Sequence, residues 1–135
     1  MSETAIASAT RIVNASCDKV WRAQTDPQYF EQWFGAKPGS VKADPQAGGS
    51  WSAIVVRGGE EIKLEGRYLE VINHRKLVMT VPNGPEHAEV TIVLTDMADR
   101  TEITSSTPVP AEAKRMVEEN AGSILGAVAA IAESL

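Results

Sequence analysis

The longest helical pattern in the chain lies at its C-terminus, from Ala111 to Leu135, directly after Pro108 and Pro110. Glu112 falls in its first turn, where the helix dipole favours an acidic side chain. Apolar residues recur at the three- and four-residue spacing of one buried helix face: Ala113, Met116, Val117, Ala121, Ile124, Leu125, Val128, Ile131 and Leu135.

The middle of this predicted helix carries small side chains. Between Asn120 and Ala130 there are two glycines, one serine and four alanines. Because protein interiors are close-packed, such side chains either let another element approach closely or leave a void. The sequence leaves both interpretations open.

Two short helices are predicted after a first strand from Ala5 to Asn14. Ser16 is suited to cap the first helix, which carries Val20, Trp21 and Ala23 inward. Asp26 and Pro27 are typical of the start of a second helix, which runs to Phe34 and ends at Gly35.

Alternating apolar and polar positions predict a run of antiparallel strands from Gly35 onward, separated by turn sequences. The predicted strands are Val41 to Asp44, Trp51 to Arg57, Ile62 to Ile72, Leu77 to Val81, a segment with Val90, Ile92 and Leu94 on one face, and Thr101 to Ser106. The predicted turns fall at Gly48-Gly49, Gly58-Gly59, Asn73 to Arg75, Pro82 to Pro85 and Asp96 to Arg100.

The strand from Ile62 to Ile72 changes its apolar phase halfway. Ile62 and Leu64 share one parity, Leu69 and Val71 share the other, and Gly66 lies between the two pairs. We therefore predict a bulge or bend at Gly66 that lets all four apolar residues serve the core.

A strand, two short helices, several strands and one long helix indicate a single α+β domain over residues 1–135, with the long helix on one face of an antiparallel sheet. Three motifs occur in it in order: V-W-R-A-Q-T-D-P with W-F-G at Val20 to Gly35, D-P-Q-A-G-G at Asp44 to Gly49, and G-R-Y-L-E-V at Gly66 to Val71. In combination they resemble the signature of the activator of heat-shock-protein-90 ATPase homologue family.

The resemblance implies the START-like, or helix-grip, fold, in which a curved antiparallel sheet wraps a long C-terminal helix around an internal cavity. That cavity usually holds an apolar or amphipathic small molecule. Phe34 stands where the family signature has a second tryptophan, which is a mild change. Many members carry a tryptophan near Asn120-Ala121, and because this chain lacks that ring we expect a larger cavity. The eukaryotic co-chaperone has an additional N-terminal domain for which this chain has no room, so its role is not expected to carry over.

Nine side chains are predicted to line the cavity and bind the ligand. The alternative for the apolar members is that they fill an ordinary core, and for Asn120 that it faces solvent rather than serving as a polar handle. The predicted ligand-binding residues are Trp33, Phe34, Trp51, Tyr68, Met79, Ile92, Met116, Asn120 and Ile124.

Catalytic and metal-binding patterns find little support in the sequence. Cys17 lies near a helix N-terminus without a partner residue in a recognisable pattern, and His74 and His87 fall in predicted turns without metal-ligand spacing. Glu65 and Arg67 either place charge inside the sheet, as an enzyme such as a cyclase would need, or belong to a solvated face or a surface ion pair. We predict no catalytic residue, no metal and no cofactor.

Composition limits the partners. The chain is 43% apolar and 23% charged, as folded domains are, and its net charge of −5 argues against nucleic acid or an anionic membrane as a partner. No apolar run is long enough to span a bilayer, so we expect no membrane insertion. A single cysteine and a start without a signal-peptide pattern favour the cytoplasm. The leading hypothesis is a carrier or sensor of a small apolar ligand, with a cavity-based enzyme or a co-chaperone-like interaction module as alternatives. A homodimer and a chaperone partner stay open.

Overall fold

The computed structural model describes residues 3–83 and 86–135, and it confirms the α+β helix-grip fold. A 3₁₀ turn at Ala111–Ala113 leads into the last helix. The elements in chain order are β1 (Thr4–Val13), α1 (Cys17–Thr25), α2 (Pro27–Phe34), β2 (Lys42–Ala43), β3 (Ser50–Arg57), β4 (Glu60–Ile72), β5 (Lys76–Asn83), β6 (Glu86–Asp96), β7 (Thr101–Pro110) and α3 (Lys114–Glu133).

All seven strands form one curved antiparallel sheet in the order β1-β7-β6-β5-β4-β3-β2. From β2 to β7, each strand lies beside the next one in the sequence. Strand β1 forms one edge of the sheet and pairs with β7 from Thr4↔Pro110 to Val13↔Thr101. The two short helices fill the connection between β1 and β2, and α3 returns across the same face. In the described part of the chain, no helix is long and apolar enough to span a membrane.

The short helices begin and end where their sequences predict. Ser16 and Asp26 occupy the N-cap positions in extended conformation, although neither side chain makes a capping hydrogen bond. Pro27 takes the first turn of α2, where its missing N–H removes no helical hydrogen bond. Gly35 ends α2 with φ of 77°, a left-handed conformation that glycine adopts without strain.

Strand β4 changes its pairing partner in the middle. Its first part pairs with β3 as far as Ser50↔Arg67, and its second part pairs with β5 from Tyr68↔Met79 onward. The register shifts between Tyr68 and Glu70, so the predicted irregularity is confirmed, but it lies after Gly66 rather than at it. Leu69 occupies the shifted position and is 47% exposed, so the prediction that it serves the core is wrong.

Gly66 has a different role, because it provides room for the Trp51 side chain. A Cβ at this position would collide with the Trp51 indole and with the Thr80 carbonyl oxygen. The indole reaches across β4 and donates its Nε1–H to that carbonyl at 2.9 Å. The Arg67 N–H, next to this point, bonds the Thr80 hydroxyl at 2.9 Å. Where β4 changes its pairing partner, a backbone carbonyl of β5 and a backbone N–H of β4 therefore form hydrogen bonds with side chains instead.

Several predicted boundaries were wrong at the prolines. Strand β7 continues through Pro108 and Pro110 instead of ending at Ser106. Beyond Ser106 it pairs with β1 but no longer with β6, so no backbone N–H is needed on the β6 side and proline is tolerated. Pro82 belongs to β5 rather than to a loop, while Gly84 and Pro85 of that predicted loop lie outside the described residues. His87 lies in β6, not in a turn.

Helix α3 covers the free edge of β1. The Ser8 N–H donates to Glu118 Oε2 at 2.9 Å, and the Asn14 N–H donates to Glu133 Oε2 at 3.0 Å. An edge strand otherwise leaves such N–H groups open to pairing with another chain. The two carboxylates therefore hold α3 along β1 and accept hydrogen bonds from backbone N–H groups at the open edge of the sheet.

The two halves of α3 pack differently. Its buried residues all lie in the second half: Leu125, Val128, Ala129 and Ala132. Met116 in the first half is 60% exposed, so the prediction of one continuous buried face is wrong for that half. The first half instead stands over a space between the helix and the sheet.

Candidate functional site

A cavity of about 440 Å³ lies between the first half of α3, helix α2 and the inner face of the sheet. Most of its lining is apolar, as in small-molecule binding sites generally. The lining residues are Gln24, Trp33, Phe34, Arg57, Leu64, Met79, Val81, Pro82, Val90, Ile92, Ser105, Thr107, Val117, Asn120, Ala121, Ile124 and Leu125.

Six of the nine predicted ligand-binding residues line this cavity, and their role in binding stays a prediction. They are Trp33, Phe34, Met79, Ile92, Asn120 and Ile124. The structure does not bring Trp51, Tyr68 or Met116 into it. Met116 faces solvent, because the helical spacing places it on the outer side of α3.

Trp51 and Tyr68 belong to the packed core instead. Trp51 is 1% exposed, and its ring lies 5.3 Å from Phe34 and 5.5 Å from Phe30 between ring centroids. Tyr68 is fully buried with no hydrogen-bond partner for its hydroxyl among the described residues. Burial, followed by the negative charge of Asp44, raises the pKa of Tyr68, so the ring stays neutral. Both residues belong to the core next to the cavity and do not line it.

The aromatic wall of the cavity is fixed in place before any ligand arrives. Phe30 packs against Trp33 and Phe34 at centroid distances of 4.7 and 5.3 Å. The Trp33 Nε1–H donates to the carbonyl oxygen of Ala23 at 3.0 Å, which ties α2 to α1. A preorganised wall loses little side-chain freedom when a ligand binds.

The small residues of α3 have two separate explanations. Ala121 lines the cavity, so its missing volume leaves open space. Ala129 and Ala132 are buried in the core, so there the small side chain permits close packing. The alternatives that the sequence left open each apply, but to different halves of the helix.

Four polar or charged lining residues were not predicted from the sequence. They are Gln24, Arg57, Ser105 and Thr107. For Gln24 a signal was present, since it follows Val20 by four residues and so shares the inner face of α1. Arg57 shares the parity of Trp51 and Ser105 that of Thr101 in the predicted strands, so alternation offered a signal for both. Thr107 lay beyond the predicted end of its strand.

Gln24 is the most deeply buried polar side chain of the cavity, at 3% exposed. Its Oε1 atom has no hydrogen-bond partner among the described residues. Thr107 differs, because its hydroxyl donates to the Glu89 carbonyl oxygen at 2.7 Å. Arg57 lies at the solvent-exposed margin, and in the described structure it makes no ion pair.

The remaining candidates for chemistry lie away from the cavity. Glu65 and Arg67 are exposed on the outer face of the sheet, which supports the solvated-face interpretation. His74 lies in the turn after β4 with its Nε2 atom 3.6 Å from Asp18 Oδ1. Cys17 is half-buried, with its Sγ 3.5 Å from the Thr101 hydroxyl. Residues 3–83 and 86–135 contain no cluster of three or more metal-ligating side chains.

A curved antiparallel sheet closed over a cavity by a long C-terminal helix defines the molecule as a START-like α+β domain. The sequence agrees with this class at the family level, since the model of the Activator of Hsp90 ATPase homolog 1-like proteins matches residues 14–133. The chain belongs to that family, whose wider superfamily commonly binds ligands in a cavity. A search of curated proteins found no match.

Solved structures repeat the same fold at low sequence identity. Protein NE0264 from Nitrosomonas europaea is 20% identical, with 96% of this chain and 94% of that chain covered and a TM-score of 0.78. ChR145 from Cytophaga hutchinsonii is 21% identical, with 99% and 97% covered and a TM-score of 0.80. DynU16, a putative protein in the dynemicin biosynthetic locus, is 22% identical with a TM-score of 0.76. The match covers 95% of this chain but 47% of DynU16.

Proposed function

We propose that the protein binds a small apolar or amphipathic molecule in the cavity beneath α3, as a carrier or sensor. The observation that carries this proposal is the largely apolar space of about 440 Å³ that Ala121 helps to line. An unfilled space of this size costs stability, because its lining atoms lose contact partners. A ligand that fills it restores those contacts.

The size and lining of the cavity support a ligand of a few fused or linked rings or a short acyl chain. Its volume falls within the range of about 300 to 1,000 Å³ that is typical of small-molecule sites. Trp33 and Phe34 provide flat apolar surface on one side, and Met79 provides an adaptable contact on the other. Arg57 at the exposed margin suits an acidic or polar group that stays in contact with water.

A catalytic role has weaker support than a carrier role. Among the described lining residues there is one charged side chain, Arg57, and no carboxylate, histidine or cysteine. General acid–base or nucleophilic catalysis needs such groups within hydrogen-bond reach of the substrate. Neither a chaperone partner nor a homodimer forms part of this proposal.

Titration of intrinsic tryptophan fluorescence tests the proposed function, because Trp33 lies in the cavity wall. We expect at least one of three ligand classes, fatty acids, flavonoids or aromatic polyketides, to change the emission and to saturate at one molecule per chain. In Trp33→Phe the emission change should shrink, while calorimetry still detects binding. A flat response and no heat with all three classes would favour the interaction-module alternative.

A further inference from the structure

The position of Gln24 leaves the oxygen of a buried amide without a hydrogen-bond partner at the wall of an apolar cavity. The side chain is 3% exposed, it lines the cavity, and its Oε1 atom has no partner among the described residues. Buried polar groups in folded proteins are nearly always hydrogen-bonded. An exception inside a ligand-sized cavity indicates a partner that arrives with the ligand.

Three donors in this part of the molecule already have acceptors. The Trp33 indole N–H donates to the Ala23 carbonyl oxygen, and the Thr107 hydroxyl donates to the Glu89 carbonyl oxygen. The Thr25 hydroxyl, next to Gln24 in the chain, donates to the Trp21 carbonyl oxygen at 2.8 Å. None of these donors serves Gln24.

The chemistry of the amide restricts what can pair with it. The amide offers an acceptor oxygen and two N–H donors but no charge. Rotation about its last torsion exchanges the positions of oxygen and nitrogen, so that either group can face the cavity. A hydroxyl or an amide both donates and accepts, and it enters a buried site without a charge. A carboxylate would bring an unpaired charge into the apolar interior, which is far more costly.

We propose that Gln24 is the polar anchor of the cavity and that the ligand carries a neutral hydroxyl or amide group at its buried end. This inference rests on the function proposed above. An acidic group on the same ligand belongs at the exposed margin, near Arg57. The ligand class is thus a hydroxylated or amide-bearing apolar molecule, not a fatty acid inserted carboxylate-first.

Three probes with one skeleton test this inference: 2-naphthol, 2-methylnaphthalene and 2-naphthoate, measured by equilibrium dialysis at pH 7. In the wild-type protein 2-naphthol should bind about tenfold more tightly than 2-methylnaphthalene, because only the hydroxyl pairs with Gln24. Binding of 2-naphthoate should be weaker than that of 2-naphthol. In Gln24→Met, which keeps the length of the side chain, the hydroxyl preference should fall below about twofold while 2-methylnaphthalene still binds.

Two control variants make the assignment specific. Gln24→Leu repeats the test with a second apolar side chain, and retained binding of 2-methylnaphthalene shows in each variant that the cavity is intact. Ser105→Ala removes one of the two buried hydroxyls of the lining, the other being that of Thr107, and should leave the preference unchanged. Loss of the preference in Ser105→Ala but not in Gln24→Met would assign the anchor to Ser105 and overturn the inference.

The outcomes separate this inference from the proposed function. Equal affinity of the wild-type protein for 2-naphthol and 2-methylnaphthalene would overturn the role of Gln24 and leave the cavity as a general apolar site. No binding of any of the three probes would overturn both.

Discussion

At the scale of single residues, the contact between Gly66 and Trp51 links three neighbouring strands. The indole starts on β3, crosses β4 at the one residue without a side chain, and bonds a carbonyl oxygen of β5. The contact coincides with the point where β4 exchanges β3 for β5 as its partner. It supports the curved sheet behind the cavity without touching the cavity itself.

Gly66→Ala should therefore destabilise the fold by about 1 to 3 kcal/mol or more, because the added methyl group collides with a backbone oxygen and a packed ring. Urea denaturation measures the change in the free energy of unfolding. Gly122→Ala is the matched control: it lies in α3 with open space around it, and alanine should stabilise the helix there by about 0.5 to 1 kcal/mol. Equal effects of the two substitutions would contradict the role given to Gly66.

The sequence indicated that β4 is irregular near Gly66, but not why. The phase change from Ile62 and Leu64 to Leu69 and Val71 is a local pattern, so it was visible. The reason for the glycine depends on Trp51 and Thr80, which lie 15 and 14 residues away in the chain and meet it only in the folded sheet. Gln24 was missed for a similar reason, since its orphaned oxygen appears only when its surroundings are complete.

At the scale of elements, α3 is both a core helix and an edge cover. Glu118 and Glu133 are 15 residues apart on α3. They accept hydrogen bonds from Ser8 of β1 and from Asn14, the residue after β1. Charged acceptors make stronger hydrogen bonds than neutral ones, and here two of them bind backbone N–H groups at a sheet edge. The helix is thereby held at both ends, which keeps its first half in place above the cavity.

Glu118→Ala should lower the free energy of unfolding by about 1 kcal/mol and speed the hydrogen exchange of the Ser8 amide, because that N–H loses its acceptor. Exchange at Asn14 should stay unchanged, because Glu133 still covers it. Glu119→Ala controls for the helix propensity of alanine, since Glu119 bonds only Arg115, at 3.4 Å, and should cost less than about 0.5 kcal/mol. Unchanged Ser8 exchange, measured by NMR, would show that the carboxylate does not cover the edge.

The spacing of apolar residues along α3 predicted the helix but overestimated its buried face. Periodicity identifies which side of a helix is apolar, and Leu125 and Val128 are buried as expected. Met116 was assigned to that side although it lies nine residues before Leu125, on the opposite side of the helix, and is exposed. Ile124 is partly exposed because it borders the cavity.

At the scale of the whole molecule, the fold was predictable and the contents of its cavity were not. Alternation, turn residues and three motifs together indicated one sheet and one long helix in the correct order. The cavity depends on the volume left over after all side chains have packed, which no local pattern records. The family resemblance, the small residues in the middle of the helix and the departure at Asn120-Ala121 pointed to a cavity, and Ala121 does line it.

Ala121→Trp should raise the free energy of unfolding by about 1 to 3 kcal/mol, because the indole fills space that costs about 24 cal/mol per Å³ when empty. Thermal denaturation measures the effect. Ala130→Trp is the matched control on the exposed side of the same helix and should change stability by no more than about 0.5 kcal/mol. A clear drop in the midpoint of Ala121→Trp alone would mean that the sheet packs tightly against this residue.

Binding of 2-naphthol to the same two variants tests most directly whether the cavity beneath α3 is the ligand site. By equilibrium dialysis, the wild-type protein and Ala130→Trp should bind one molecule per chain with equal affinity. Ala121→Trp should bind it at least tenfold more weakly, because ligand and indole compete for one volume. Unchanged affinity in a folded Ala121→Trp variant would place the ligand elsewhere and contradict the account of this protein as a cavity-based carrier.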